Sequence, residues 1–299
     1  MKIGLVLEGG AMRGMFTAGI LDVFMEEGVS VDGVIGVSAG AAFGVNYKTG
    51  QIGRAIRYNT RFCNDKRYCG FWSLLRNGNI YSTDFAYGEV PLVHDKFDFE
   101  AYSRSPMPFY MVATDVETGE AVYHEYGGYE DHLFDWVRAS ASMPLVSQIV
   151  EIEGRKFLDG GIADPIPLRY FEDIGYKRNI VILTQPDSYE KKESGILFAV
   201  RLMYRKYPKL VKVLEERHLR YNETLRYIRE KEAAGEILVL RPQEALPVSR
   251  VEKNPQRLRD VHAIGCAMAR ERLDAVRAFI RGCKSLVHGS GEPSAVNGD

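Results

Sequence analysis

The chain has 299 residues and is 45% apolar, enough for one large domain or two small ones with a substantial core. Its 39 basic and 40 acidic side chains leave a formal charge of −1, which excludes a whole-molecule field favouring nucleic acid or an anionic membrane. Cys63, Cys69, Cys266 and Cys283 match neither a dense disulfide framework nor a paired zinc spacing, so free thiols in a reducing compartment are expected. The first apolar run is broken at Glu8, too early for a signal peptide, and no stretch approaches the roughly 18 apolar residues of a membrane span. A soluble, cytoplasmic protein is therefore the expectation.

Ile3 to Leu7 reads as a buried strand, Met15 to Glu27 as a helix with Phe16, Ile20, Val23 and Phe24 on one side, and Gly33 to Val37 as a second buried strand. Between the first strand and helix lies "EGGAMRG", residues 8 to 14, a glycine loop suited to a phosphate or to another transient negative charge. It lacks the central glycine of G-x-G-x-x-G and no G-K-[ST] follows, so both nucleotide fingerprints fail in detail. Asp32 adds little to the nucleotide alternative in a chain with 40 acidic residues.

After the second strand comes Gly36-Val37-Ser38-Ala39-Gly40, followed by small residues that suit a helix packed closely on a sheet. G-x-S-x-G alone is weak and equally describes a glycine-rich turn. With an apolar strand before it and a small-residue helix after it, it has the context of a nucleophile elbow, in which Gly36 and Gly40 make room for a sharp turn. Strand, helix, strand, helix in this order argues for a parallel sheet covered on both faces.

Between Cys63 and Pro108 the chain is rich in Tyr, Phe and Gly without clear periodicity, and reads as loops and short helices over one end of the sheet. Phe109 to Thr114 and Ala121 to Tyr126 are candidate strands, and Trp136 to Ala141 is the end of a helix stopped by Met143-Pro144. Asp159 follows a short strand-like run and precedes Gly160-Gly161. Asp-Gly is among the commonest turn pairs, so a β-turn explains it without chemistry. A buried carboxylate within reach of a serine hydroxyl can also act as a base.

Asn179 to Thr184 is a further strand, Ser194 to Ala234 is helical, Ile237 to Leu240 is a late strand, and Pro255 to Arg281 forms one or two closing helices. Because the late strand can return to the sheet, we read one domain with a helical insertion. The boundaries are 1–185 for the core, 186–284 for the insertion, late strand and closing helices, and 285–299 for a polar, disordered tail. No histidine stands in an obvious catalytic context. His94, His124 and His132 precede Asp159, His218 and His288 lie in a charged helix and the polar tail, and His262 lies in a helical segment without turn glycines. The base for Ser38 is thus not required to be histidine.

Together, "EGGAMRG", "GVSAG" at 36–40, "ATDVETGE" at 113–120, "ASASMP" at 139–144 and "LDGGIADPIP" at 158–167 resemble, in content and order, the motifs of the patatin-like phospholipases. "LVLRPQEALPVSRVEKNP" at 238–255 resembles the bacterial, stand-alone branch of that family. The resemblance implies a three-layer α/β/α fold with a mostly parallel central sheet and a C-terminal helical region. It implies a serine acyl hydrolase with a Ser-Asp dyad, in which Ser38 is the nucleophile and Asp159 the general base, followed by Gly160 and Gly161. Gly9, Gly10 and Ala11 would form the oxyanion hole, with Met12 behind, Arg13 beside it and Gly14 ending the loop. The family often has a third glycine where Ala11 stands, and the Ala11 N–H is expected to point inward with φ negative.

The implied partner is a lipid or other acyl-ester substrate, with no cofactor, no metal and no nucleic acid; oligomeric state is open. Aromatic residues between Phe71 and Phe109 serve either as an acyl groove or as packed core. Arg201 to Val213 reads either as a peripheral membrane contact or as a solvated helix whose charges pair with Glu215, Glu216 and Glu223. A relative that keeps the fold for binding or regulation without turnover is the main alternative, and a nucleotide-binding Rossmann-like protein a weaker one.

Overall fold

A computed structural model describes residues 1–126 and 132–288, with side chains as far as residue 282. Strand β1 (Ile3–Leu7) leads through a tight turn at Ala11–Arg13 into α1 (Gly14–Glu26), then β2 (Gly33–Val37) and α2 (Ala39–Thr49). The aromatic stretch without clear periodicity holds α3 (Arg54–Phe62), α4 (Phe71–Asn77), a wide-turned π-helical segment Thr83–His94 and α5 (Phe99–Arg104). Next come β3 (Phe109–Asp115), β4 (Ala121–Tyr126), α6 (Leu133–Ser140), β5 (Val150–Ile152) and β6 (Arg155–Asp159). The chain continues with α7 (Leu168–Asp173), β7 (Arg178–Ile182), α8 (Leu197–Met203), α9 (Pro208–Ala233), β8 (Ile237–Leu240) and α10 (Pro255–His288). The last is one closing helix where the sequence left one or two open. Of the tail expected at 285–299, residues 285–288 belong to α10, while the stretch from residue 289 onward lies outside the described residues, as does the Cys283 side chain.

The strands form one eight-stranded sheet in the order β5-β6-β3-β2-β1-β7-β8, with β4 paired to β3. Pairings β3-β2, β2-β1, β1-β7 and β7-β8 are parallel, while β4, β6 and β5 join antiparallel. The hairpin from β5 to β6 turns on Glu153 and Gly154, both at positive φ, as a two-residue loop of this hand requires. Because β8 pairs with β7 in register from Asn179↔Ile237, the chain beyond α9 does return to the sheet.

The central strands are buried on both faces, which is why they read as continuous apolar runs. Leu5 and Leu7 pack toward α1, α2 and α10, whereas Val6 packs with Phe171 of α7 and Tyr221 and Leu225 of α9 on the other side. This makes three layers. On the first face α10 lies directly against α1: a Cβ on Gly19 would strike the His262 carbonyl, and one on Gly265 the Phe16 carbonyl. Truncating the fully buried Phe16 in this layer to alanine is expected to cost about 3–5 kcal/mol.

One register decides the position of the site. β4 pairs with β3 along Phe109 to Thr114 and so occupies one edge of that strand. The other edge is shared: β2 runs along it as far as Val37↔Val112, and β6 arrives from the opposite direction with Asp159↔Ala113. The carboxyl ends of β2 and β6 therefore meet head to head on adjacent positions of β3.

Candidate active site

Ser38 is the first residue beyond β2 and has φ 54° and ψ −118°, a conformation L residues rarely adopt. Such backbone costs about 1–3 kcal/mol and persists only where the surroundings enforce it. Here they do so by contact. A Cβ on Gly36 would fall 2.7 Å from the Ala41 nitrogen, and one on Gly40 would fall 2.5 Å from the Leu7 carbonyl oxygen. The Ser38 N–H donates to Ser140 Oγ at 2.9 Å, tying the turn to the end of α6. The serine lies at the amino terminus of α2, where the helix dipole favours negative charge.

Asp159 closes β6. Its N–H donates to the Ser142 carbonyl at 2.8 Å, its carbonyl accepts from Thr114 Oγ1 at 2.8 Å, and its Oδ1 accepts from the Gly161 N–H at 2.7 Å. The last bond caps the short turn Gly160–Ile162, so the Asp-Gly turn anticipated from sequence is present. The Ser38 hydroxyl also lies close enough to the carboxylate to favour its ionised form. With Asp159 only 5% exposed, burial raises its pKa above the ordinary aspartate value, while the Ser38 hydroxyl, the Arg217 charge and the Gly161 N–H pull the other way. A hydroxyl donating to a buried carboxylate of raised basicity can pass its proton to it.

The glycine loop lies against this pair. A Cβ on Gly9 would come 3.0 Å from Ser38 Cβ and 3.0 Å from the Val37 carbonyl, and one on Gly10 would meet Thr184 Oγ1 at 2.6 Å. Gly14 faces Ala39 and Phe43 just as closely. Among the described residues the amides of Gly9, Gly10 and Ala11 donate no hydrogen bond within the protein. Met12 is buried behind them. The expectation of a negative φ at Ala11 is corrected: the residue sits at φ 48°, because the chain must reverse from extended Gly10 into the tight turn that starts α1. A left-handed alanine costs roughly 1–2 kcal/mol, which a glycine would avoid.

Several supporting residues escape sequence reasoning. Glu8 Oε2 accepts from Thr184 N–H at 2.5 Å and from Thr184 Oγ1 at 3.0 Å, and Oε1 accepts the Tyr221 hydroxyl at 2.5 Å, binding β1, β7 and α9 together beneath the loop. The break Glu8 makes in an apolar run was its signal. Arg217, on α9, donates through Nε to the Gly161 carbonyl and places its charge near Asp159. Nothing separates it in sequence from its charged neighbours. The histidines are engaged elsewhere: His262 with Asp22 at 2.8 Å, His94 with Glu89 at 3.4 Å, and His124 stacked on Trp136. His218 does line the cavity that contains Ser38, with Nδ1 3.0 Å from the Glu215 carbonyl. The His288 side chain is outside the described residues.

Ser38 opens on two cavities. A narrow, mostly apolar one of about 80 Å³ runs past Met12, Ala42, Phe43, Tyr87, Val90 and Val137. A wider one of about 360 Å³ contains Asp159, the glycine loop and residues of α8 and α9. The aromatic stretch thus divides: Tyr81 and Tyr87 line the narrow cavity, Phe85, Phe97 and Tyr102 are core, and Phe71 and Trp72 are exposed. The basic segment pairs in part with the acids after it, Arg201 with Glu215 and Lys212 with Glu216. Among the described residues no helix is long and apolar enough to cross a membrane, and no three His, Cys, Asp or Glu side chains gather as a metal set.

The family model for patatin-like phospholipase matches residues 5–172, and a model for a domain of unknown function, DUF6363, matches 207–281. The chain is 32% identical over 195 residues to the uncharacterized protein YjjU of Escherichia coli K12, covering 62% of this chain and 52% of that one. It is 28% identical over 171 residues to the uncharacterized NTE family protein Rv1063c of Mycobacterium tuberculosis, covering 56% and 44%. It is 28% identical over 184 residues to lysophospholipase nte1 of Emericella nidulans, covering 58% and 11%. The chain thus spans about half the length of the first two relatives and much less of the third. Since the matched segment is more than half of the chain and contains the glycine loop, the serine elbow and the Asp159 turn, the chain belongs to the patatin-like phospholipase family.

Proposed function

We propose that the protein is a serine acyl hydrolase of the phospholipase A or lysophospholipase kind, cleaving a fatty acyl ester through an acyl-Ser38 intermediate. The observation that carries this reading is the meeting of a strained Ser38 hydroxyl with the buried Asp159 carboxylate at the mouth of two cavities. Ser38 Oγ attacks the ester carbonyl as its proton passes to Asp159. The carbonyl oxygen becomes an oxyanion held by free amides of the Gly9–Ala11 loop and favoured by the amino terminus of α2. Collapse expels the alcohol, which takes the proton from Asp159. Water then gives its proton to Asp159 and attacks the acyl-serine, and the returning proton restores Ser38 as the fatty acid leaves. The acyl chain occupies the narrow apolar cavity and the alcohol portion the wider one.

The test is labelling with a fluorophosphonate followed by mass-spectrometric location of the adduct. Modification at Ser38, with hydrolysis of a medium-chain p-nitrophenyl ester that is lost in Ser38→Ala, is the expected result. A folded protein that takes no label and hydrolyses no ester is instead a binding or regulatory member of the family.

A further inference from the structure

The wider cavity carries a charge pattern of which general-base chemistry at Asp159 accounts for Arg217 alone. Arg13, Lys191, Arg217 and Arg250 all line it, and the last three lie outside the segment matched by the patatin-like phospholipase model. Surface arginines such as Arg57, Arg155, Arg229 and Arg277 reach carboxylates at 2.8–3.0 Å. Among the described residues none of the cavity cations forms such an ion pair, and Arg13 Nε is buried with no hydrogen-bond partner. The acids nearby are already engaged: Glu8 by Thr184 and Tyr221, Asp159 by Gly161 and Ser38.

The cations also act on one another. Burial pushes the Lys191 ammonium down to about 8; the Arg217 and Arg250 charges add to the effect, Glu8 opposes it, and Arg13 adds a smaller share. Lys191 is nevertheless held in place. Its N–H donates to Asn222 Oδ1 at 2.8 Å, its carbonyl accepts from Asn222 Nδ2 at 2.9 Å, and its ammonium lies 4.9 Å from the centre of the Tyr221 ring. Like charges fixed around a cavity raise the energy of the empty site and lower that of a site holding an anion. A fixed cluster of guanidinium and ammonium groups matches phosphate-class oxygens in particular.

Resting on the acyl-hydrolase reading above, we propose that this cavity is an anion subsite for the alcohol portion of the substrate. The preferred ester carries a phosphate-class group without a compensating cation on its leaving side, and neutral or choline-capped esters are disfavoured. The subsite belongs to the C-terminal region of this chain, through Lys191 and Arg250, with Arg13 and Arg217 completing the positive wall.

Binding and turnover separate the two claims. In Ser38→Ala, calorimetric titration with decyl phosphate is expected to show about tenfold tighter binding than decylphosphocholine, on the order of one charge-assisted hydrogen bond. Lys191→Gln and Arg250→Gln should each reduce that preference severalfold, and Lys191→Arg should keep it. Inorganic phosphate should compete with decyl phosphate. In the active protein, kcat/KM for a 1-acylglycerol phosphate should exceed that for the 1-acylglycerol of equal chain length, and the ratio should fall toward one in the Lys191→Gln/Arg250→Gln double variant. Equal binding of the two decyl ligands overturns the subsite even if esters are hydrolysed. So does inorganic phosphate that binds without displacing decyl phosphate, which marks a separate free-phosphate site. Preferential decyl phosphate binding with no ester hydrolysis leaves the subsite standing and overturns the acyl-hydrolase reading.

Discussion

Asp159→Asn separates catalysis from stability more cleanly than any other single change. The amide keeps the shape and still accepts the Gly161 N–H through its oxygen, but it cannot take a proton from Ser38. Removing a general base costs typically 10²–10⁴ in rate, so hydrolysis of a p-nitrophenyl ester should fall by at least about 100-fold. Stability should move the other way. The ionised carboxylate is 5% exposed and its pKa is raised by burial despite Ser38, Arg217 and Gly161, so desolvation outweighs its partners in the folded state. Because the folded pKa lies above the unfolded one, ionised Asp159 destabilises the fold increasingly as pH rises from the ordinary aspartate value through the raised one. Replacing the charge by a neutral amide should therefore raise stability at pH 7.5, on the order of 1 kcal/mol after the loss of charge-assisted hydrogen bonds is counted. That corresponds to roughly 2 °C in melting temperature for a chain of this size. Calorimetry and initial rates on one preparation measure both. Activity within threefold of the parent, or a melting temperature several degrees lower, would refute the account of Asp159 as a buried base held at an energetic cost.

Arg217→Met should move the acid limb of the kcat/KM profile to higher pH, because the Arg217 charge favours ionised Asp159 and its loss raises that pKa further; an unmoved limb argues that the charge does not reach the site. Ala11→Gly should relieve the left-handed strain at φ 48° by roughly 1–2 kcal/mol, offset in part by about 0.4–1 kcal/mol of extra unfolded-state entropy, for a net gain of about 0.5 kcal/mol in denaturant unfolding. Burial would depress the His262 pKa, but its hydrogen bond to Asp22 and the contact with Cys266 carry it to about 9. The His262–Asp22 pair accordingly stabilises fully below about pH 6.5, the unfolded histidine value, and its contribution is lost as pH rises through 9. Thermal melts between pH 6 and 10 should show that decline in the parent and not in His262→Gln.

The strands buried on both faces were legible because such strands must be apolar throughout: Ile3–Leu7, Gly33–Val37 and Ile237–Leu240 stand where the residue pattern puts them. The elbow was legible because Gly36 and Gly40 leave no room for a Cβ. The irregular aromatic stretch was not, since a π-helical turn containing Pro91 has no period to read. Nor was the sign of φ at Ala11, for a related reason: an alanine prefers negative φ locally, and the reversal accompanies the packing of Gly10 on Thr184 and Gly14 on Phe43.

A serine in a sharp turn after a strand, a carboxylate before two glycines and a glycine loop are written locally in the chain, each a matter of sterics and hydrogen bonding. Their union was a tertiary matter. Ser38 and Asp159 come together because β2 and β6, running in opposite directions, end on adjacent residues of the same edge of β3, a register that no local pattern encodes. Arg13, Lys191, Arg217 and Arg250 likewise become one positive wall only when α9 packs across the sheet and the chain beyond β8 returns to the cavity. Charges far apart in sequence then line one concave space, Arg13, Lys191 and Arg217 half-buried and Arg250 exposed, and act on one another at short range.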